Sequence, residues 1–82
     1  MLVKIHVTFK EGVLDPQGKA VHHALTDLGY REVTGVNVGK YMEIHLQSVS
    51  ESEAQSRVDE MCQKLLTNPI IESYWFTLDP SE

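Results

Sequence analysis

From Ile70 to Leu78 the chain carries apolar side chains on both faces of what reads as an extended strand. Ile70, Tyr74, Phe76 and Leu78 point one way, Ile71 and Trp75 the other. A half-buried strand needs cover on one face only; this one asks for it on two. In a chain of 82 residues that demand is hard to meet, because a domain this small buries only about 60–65% of the surface its unfolded form exposes. Some of this strand is therefore left for contact with another molecule.

The other segments are simpler. Leu2 to Phe9 alternates strictly, with Val3, Ile5, Val7 and Phe9 against Lys4, His6 and Thr8, the pattern of a strand with one buried face. A loop from Lys10 follows. Asp15 is a good helix N-cap, and Pro16 suits the first helical position, where its missing N–H costs nothing. Ala20, Val21, Ala24, Leu25 and Leu28 then recur at helical spacing until Gly29 ends the helix. A second strand is predicted over Val33 to Val38 and a third over Tyr41 to Leu46. The tight turn at Gly39-Lys40 would make them an antiparallel hairpin. Ser50-Glu51-Ser52-Glu53 reads as a capping box opening a second helix, buried through Ala54, Val58, Met61, Cys62, Leu65 and Leu66. Thr67-Asn68-Pro69 stops it.

Strand–helix–strand–strand–helix–strand is the order of an α+β, ferredoxin-like βαββαβ unit. The expectation is one domain over residues 1–82, a four-stranded antiparallel sheet with both helices on one face. The other face would lie open, with Trp75 and Ile71, or else Tyr74 and Phe76, upon it. A homodimer or higher oligomer would cover it, which makes Tyr74 and Trp75 candidate contact residues.

Charge excludes one class of partner. Twelve acidic against seven basic residues give a net charge of −5, and the two arginines, Arg31 and Arg57, stand apart. Nucleic-acid affinity draws on clustered Lys and Arg, so no nucleic acid is expected. The alternating N-terminus does not read as a signal peptide, and no apolar run approaches the roughly 20 residues of a membrane span. The single cysteine, Cys62, fits a reducing compartment, and the expected location is cytoplasmic.

The chemistry-bearing residues do not assemble into a catalytic set. His6 and His45 sit on the polar faces of what should be neighbouring strands, but His22 and His23 are adjacent on a helix and diverge, no spacing matches a zinc site, and exposed or interface histidines are the expectation. Cys62 lies on the apolar stripe, where a thiol behaves as a small hydrophobe. The glycine-containing loop before the first helix has Lys19 nearby, but Asp15 at the cap repels phosphate and no Walker pattern follows. No catalytic, cofactor or metal residue is expected. Asp15, Pro16, Gln17 and Gly18 read instead as a structured loop shown to a partner, and Lys40 as a turn lysine able to reach an anionic site.

Three strings carry a resemblance. Gly12-Val13-Leu14-Asp15-Pro16-Gln17-Gly18-Lys19-Ala20-Val21, then Gly39-Lys40, then Lys64-Leu65-Leu66-Thr67-Asn68-Pro69-Ile70-Ile71-Glu72-Ser73-Tyr74 resemble, in order and over nearly the whole chain, the PurS family. The Asp79-Pro80-Ser81-Glu82 tail and the aromatic Trp75-Phe76 depart from its pattern. That resemblance implies a small subunit of phosphoribosylformylglycinamidine (FGAM) synthase, in de novo purine biosynthesis. It would bridge a synthetase and a glutaminase subunit and carry no catalytic residue, while the complex uses ATP and Mg²⁺. Two other classes share the expected fold. A free-standing acylphosphatase needs an arginine in the loop after the first strand, where this chain has Lys10 and Lys19. An ACT-like regulatory module would bind a small molecule through Gly12 or Gly18 at a dimer interface.

Overall fold

β1 (Leu2–Phe9) is the centre of the sheet, and its alternation decides where the core lies. Val3 and Ile5 are 0% exposed and Val7 1%, while Lys4 and His6, on the other face, are half-buried. β2 (Lys40–His45) and β3 (Glu72–Asp79) flank it, both antiparallel, in the order β2-β1-β3. The computed structural model describes residues 1–47 and 49–80, so the last two residues of the tail, Ser81 and Glu82, lie outside the described residues. The register sets Ile5 beside Met42 and Phe76, and Val3 beside Ile44 and Leu78. One sheet face thereby collects the aliphatic and phenyl side chains.

α2 (Glu51–Met61) lies on that face. Ser50 caps it, its hydroxyl accepting from the Glu53 N–H at 3.2 Å, and Glu51 and Glu53 sit favourably against the helix dipole. Ala54, Val58 and Cys62, each 0% exposed, meet Val3, Ile5 and Val7. The last turn widens into a π-helical turn over Cys62–Leu66. There the Thr67 N–H and hydroxyl both donate to the Cys62 carbonyl, at 3.0 and 2.9 Å. The widening rotates Leu65 off the expected stripe, and it is 82% exposed. Asn68 then closes the turn, its side chain accepting from Ile70 N–H and its carbonyl from Ile71 and Glu72 N–H.

α1 (Pro16–Asp27) starts and stops where expected. Asp15 caps it, Pro16 takes the first position, and Gly29 ends it at φ +101°. Tyr30 N–H donates to Leu25 C=O and Gly29 N–H to Thr26 C=O, both at 3.0 Å, the paired bonds of a Schellman motif.

The expected four-stranded, ferredoxin-like sheet is not formed. The described residues make a three-stranded sheet, and residues 33–38, read as a strand of a hairpin, run as an irregular extended segment beside α1. Side chains of the helix hold both its ends: Val38 N–H donates to Asp15 Oδ2 at 2.9 Å, and His22 Nε2 donates to the Val33 carbonyl at 3.0 Å. At Gly39 the chain passes so close to the Val7 carbonyl that a Cβ would collide with it, and it runs on into β2 without turning back. The valines misled because Val33 and Val36 differ in parity and share no strand face. The expectation of both helices on one sheet face fails with it. α2 packs on the sheet; α1 and residues 30–39 project from its end as an arm, and the molecule measures 49 × 28 × 14 Å.

Candidate functional site

The arm is anchored at one residue. Asp15 divides its carboxylate, Oδ1 accepting from the Gly18 N–H and Oδ2 from the Val38 N–H, each at 2.9 Å. Those donors, Val38 first and Gly18 second, hold its carboxyl below the usual value of 3.8. One side chain thus caps a helix and ties down a segment 23 residues later. Gly18 is buried because a Cβ there would strike the Val36 carbonyl and stand 2.7 Å from Asp15 Oδ2. Gly12, at φ +85°, takes the left-handed conformation that lets the loop from β1 turn into this anchor.

Two clefts flank the anchor. One, of about 480 Å³, opens between Gly12, Leu14, Asp15, Lys19, His22 and Asn37. The other, about 220 Å³, brings Gln17 and Lys40 together with Val38, Gly39 and Glu72. Lys40 Nζ lies 3.7 Å from Glu72, whose other carboxylate oxygen accepts from Asn68 N–H at 2.7 Å. The structure thus gathers Asp15, Pro16, Gln17, Gly18 and Lys40 around the end of the sheet. An anion at α1's start would find the Gly18 N–H already committed to Asp15.

Tyr74 and Trp75 part company. Tyr74 faces α2: its hydroxyl donates to Asp59 Oδ1 at 2.5 Å and accepts from Gln63 Nε2 at 3.2 Å, and the Asp59 bond raises its pKa above 10.0. It serves as a strut between β3 and α2. Trp75 points to the open face, 58% exposed. The His6 ring stacks on it with centroids 4.0 Å apart, and Tyr41 flanks His6 at 5.0 Å. The sequence marks His6 as an exposed or interface histidine rather than a metal ligand, and it does not single out Tyr41 or Glu72. The cross-strand register that joins His6 to Tyr41 and Trp75 is not written in any one segment. His6 and Trp75 do share the parity opposite the buried residues of their own strands, and that was the available signal.

The Cys62 thiol is buried, and burial, with Asp59 adding to it, pushes its pKa above 9.0, the reverse of an activated nucleophile. His22 holds the arm, and His23 lies 3.4 Å from Asp27 on the helix surface. Among the described residues no helix is long and apolar enough to cross a membrane.

Known proteins resemble this chain from end to end. Residues 2–80 match the family model described as PurS, phosphoribosylformylglycinamidine (FGAM) synthase. The synthase subunit PurS of Bacillus subtilis is 48% identical over 77 residues, 94% of this chain and 90% of that protein. The crystal structure of Methanocaldococcus jannaschii PurS superposes with a TM-score of 0.86 at 33% identity, covering 99% of this chain and 98% of that one. A structure described as PurLQS from Thermotoga maritima contains a chain matched at 25% identity with a TM-score of 0.79, over 94% of this chain and 96% of that one.

Proposed function

Since the chain belongs to the PurS family of FGAM synthase, we propose that it works by holding that enzyme's synthetase and glutaminase subunits together. The complex converts formylglycinamide ribonucleotide, glutamine and ATP into FGAM, ADP, phosphate and glutamate, a step of purine biosynthesis. This chain is its small subunit. The observation that carries the reading is the end-to-end match to a chain found within the PurLQS assembly of Thermotoga maritima.

The geometry supports a bridging part. A sheet one layer thick offers two sides, with α2 on one and the His6–Trp75–Tyr41 cluster on the other. The arm base with Gln17 and Lys40 stands at its end. Well-separated surfaces are what a bridge requires. Glutamine hydrolysis needs a thiolate, and the one cysteine is a core residue with a raised pKa. In this reading ATP and Mg²⁺ belong to the synthetase subunit, and the complex works in the cytoplasm. A small-molecule module of ACT-like type is not favoured, because the full-length family match leaves it without support.

The test is reconstitution. Purified chain, synthetase and glutaminase are mixed, and FGAM formation is followed with glutamine, then with ammonium, as nitrogen donor. The chain alone should be inactive and should raise the glutamine-dependent rate when added to the other two. A glutamine-dependent rate unaltered by its omission would rule out the bridging role.

A further inference from the structure

The turn that joins α2 to β3 carries two side chains that the fold does not use. Leu65 and Ile70, each 82% exposed, are the most exposed large apolar residues among those described. Leu65 stands on the π-helical turn of Cys62–Leu66, and Ile70 follows just beyond it. The segment that presents them is firmly held. The Thr67 N–H and hydroxyl both bind the Cys62 carbonyl, and Asn68 accepts from the amides of Ile70, Ile71 and Glu72. The Ile71 carbonyl accepts from Lys10 N–H at 2.8 Å, which ties the turn to the end of β1. A π-helical turn is rare and frequently marks a functional site. This one gives up regular helical bonding, and its effect is to turn a leucine outward. Single exposed leucines are ordinary; two aliphatic side chains shown together on a fixed turn are a shaped feature.

The smaller cleft lies at the same end of the sheet, and Glu72 belongs to both. One of its carboxylate oxygens accepts from Asn68 N–H in the turn at 2.7 Å, and the other lies 3.7 Å from Lys40 Nζ in the cleft. The Glu72 side chain is 13% exposed and that of Lys40 57%, so the lysine is the outer member of the pair. Its ammonium has three donors, and Glu72 engages it only at long range. Gln17, also exposed, lines the same recess of about 220 Å³. An aliphatic projection thus adjoins a recess whose accessible charge is positive.

We propose that this end of the molecule docks on another protein chain, one of the two subunits it bridges. The partner's surface has an apolar pocket that receives Leu65 and Ile70. Beside the pocket it carries an aspartate or glutamate that enters the recess and pairs with Lys40 and Gln17. Charge selects the carboxylate, because a cation entering there would meet Lys40 first. The apolar side chains supply affinity and the ion pair fixes orientation, and a turn already held in place loses little freedom on binding. A second copy of this chain does not fit. Its own apolar cleft, between Leu46, Val49, Ala54 and Met61, is edged by Arg57, which would set like charges side by side. The inference rests on the bridging role and adds the surface that serves it.

The reconstituted three-subunit enzyme tests it. The readout is the concentration of this chain that gives half-maximal glutamine-dependent FGAM formation. Light scattering reports subunit mass and far-ultraviolet spectra report folding. Leu65→Ser with Ile70→Ser, both at exposed positions, should raise that concentration by about tenfold or more, with wild-type mass and spectrum. Lys40→Met should raise it by a smaller factor and flatten its dependence on salt, while Lys40→Arg should behave as wild type. Variants with the wild-type half-maximal concentration overturn the proposal. So does a changed subunit mass in any of them, which would put this face between copies of the chain. If omitting wild type leaves the glutamine-dependent rate unaltered, the bridging role falls and this surface with it; a required wild type with indifferent variants removes the surface alone.

Discussion

Replacing Gly18 by alanine separates two opposing effects that the structure makes unequal. In an exposed helix interior, alanine is favoured over glycine by about 1 kcal/mol, so helix propensity alone forecasts a more stable protein. Here the new Cβ would collide with the Val36 carbonyl and come within 2.7 Å of Asp15 Oδ2 and 2.9 Å of Asp15 Cγ. Neither neighbour is the free end of a flexible side chain. The carbonyl belongs to backbone fixed by the next bond, Val38 N–H to Asp15, and the carboxylate is fixed by two N–H donors. Overpacking of this kind costs about 1–3 kcal/mol. Against the propensity gain, the expected net effect is a loss of up to about 2 kcal/mol. For a chain of this size that lowers Tm by roughly 4–8 °C per kcal/mol. Gly35→Ala is the control: a Cβ there meets nothing within 4 Å and φ is not positive, so a gain of about 0.4–1 kcal/mol is expected from the restricted unfolded chain. Urea unfolding of the three proteins at one chain concentration decides it. Gly18→Ala as stable as wild type, or more so, would show that the arm does not press on α1 as described.

The core offers three further measurements. Because the folded state holds the Cys62 thiol above its ordinary 9.0, the unfolded chain releases that proton first as pH rises, and stability falls from there upward until the folded pKa is passed. Tyr41 and Tyr74, raised above 10.0, act with the same sign at higher pH. Cys62→Ala should therefore flatten the loss of stability between those two ordinary values, and an unaltered slope in urea titrations would refute the buried thiol. Native Cys62 should also resist a thiol reagent that labels the unfolded chain at once. Thr67→Val keeps the shape of a buried side chain and removes its hydroxyl bond to the Cys62 carbonyl. A loss of about 0.5–1.5 kcal/mol is expected, and a neutral result would mean that the π-helical turn does not depend on it.

What was legible in the sequence was whatever a single segment decides. β1, the caps at Asp15 and Ser50, the glycine stop at Gly29 and the stripe of Ala54, Val58 and Cys62 all follow from local spacing, and the structure has them. What failed depended on how segments meet. Residues 33–38 have the valines of a strand, but their backbone is claimed by Asp15 and His22, which lie far off in sequence. Once that segment leaves the sheet, α1 leaves with it, and Val21 and Leu28 on the arm join Ile70 and Trp75 as exposed apolar side chains. Tyr74 and Trp75 show the same limit. Alternation assigned them to opposite faces, yet only the register reveals that one is braced by Asp59 and the other stacks on His6.

The string from Gly12 to Gly18 shows how a recognisable signature can be built from residues that shape a joint. Gly12 turns the loop, Pro16 opens the helix, Asp15 caps it and holds Val38, and Gly18 makes room for the Val36 carbonyl. Each of these residues acts on where the arm points. Gln17 is the exception: it is exposed, and it faces the cleft that Lys40 and Glu72 also line. A scaffold whose action is geometric concentrates its constraints in a joint, as an enzyme does in its reacting groups. The joint sets where the arm points, through the two N–H bonds that Asp15 accepts.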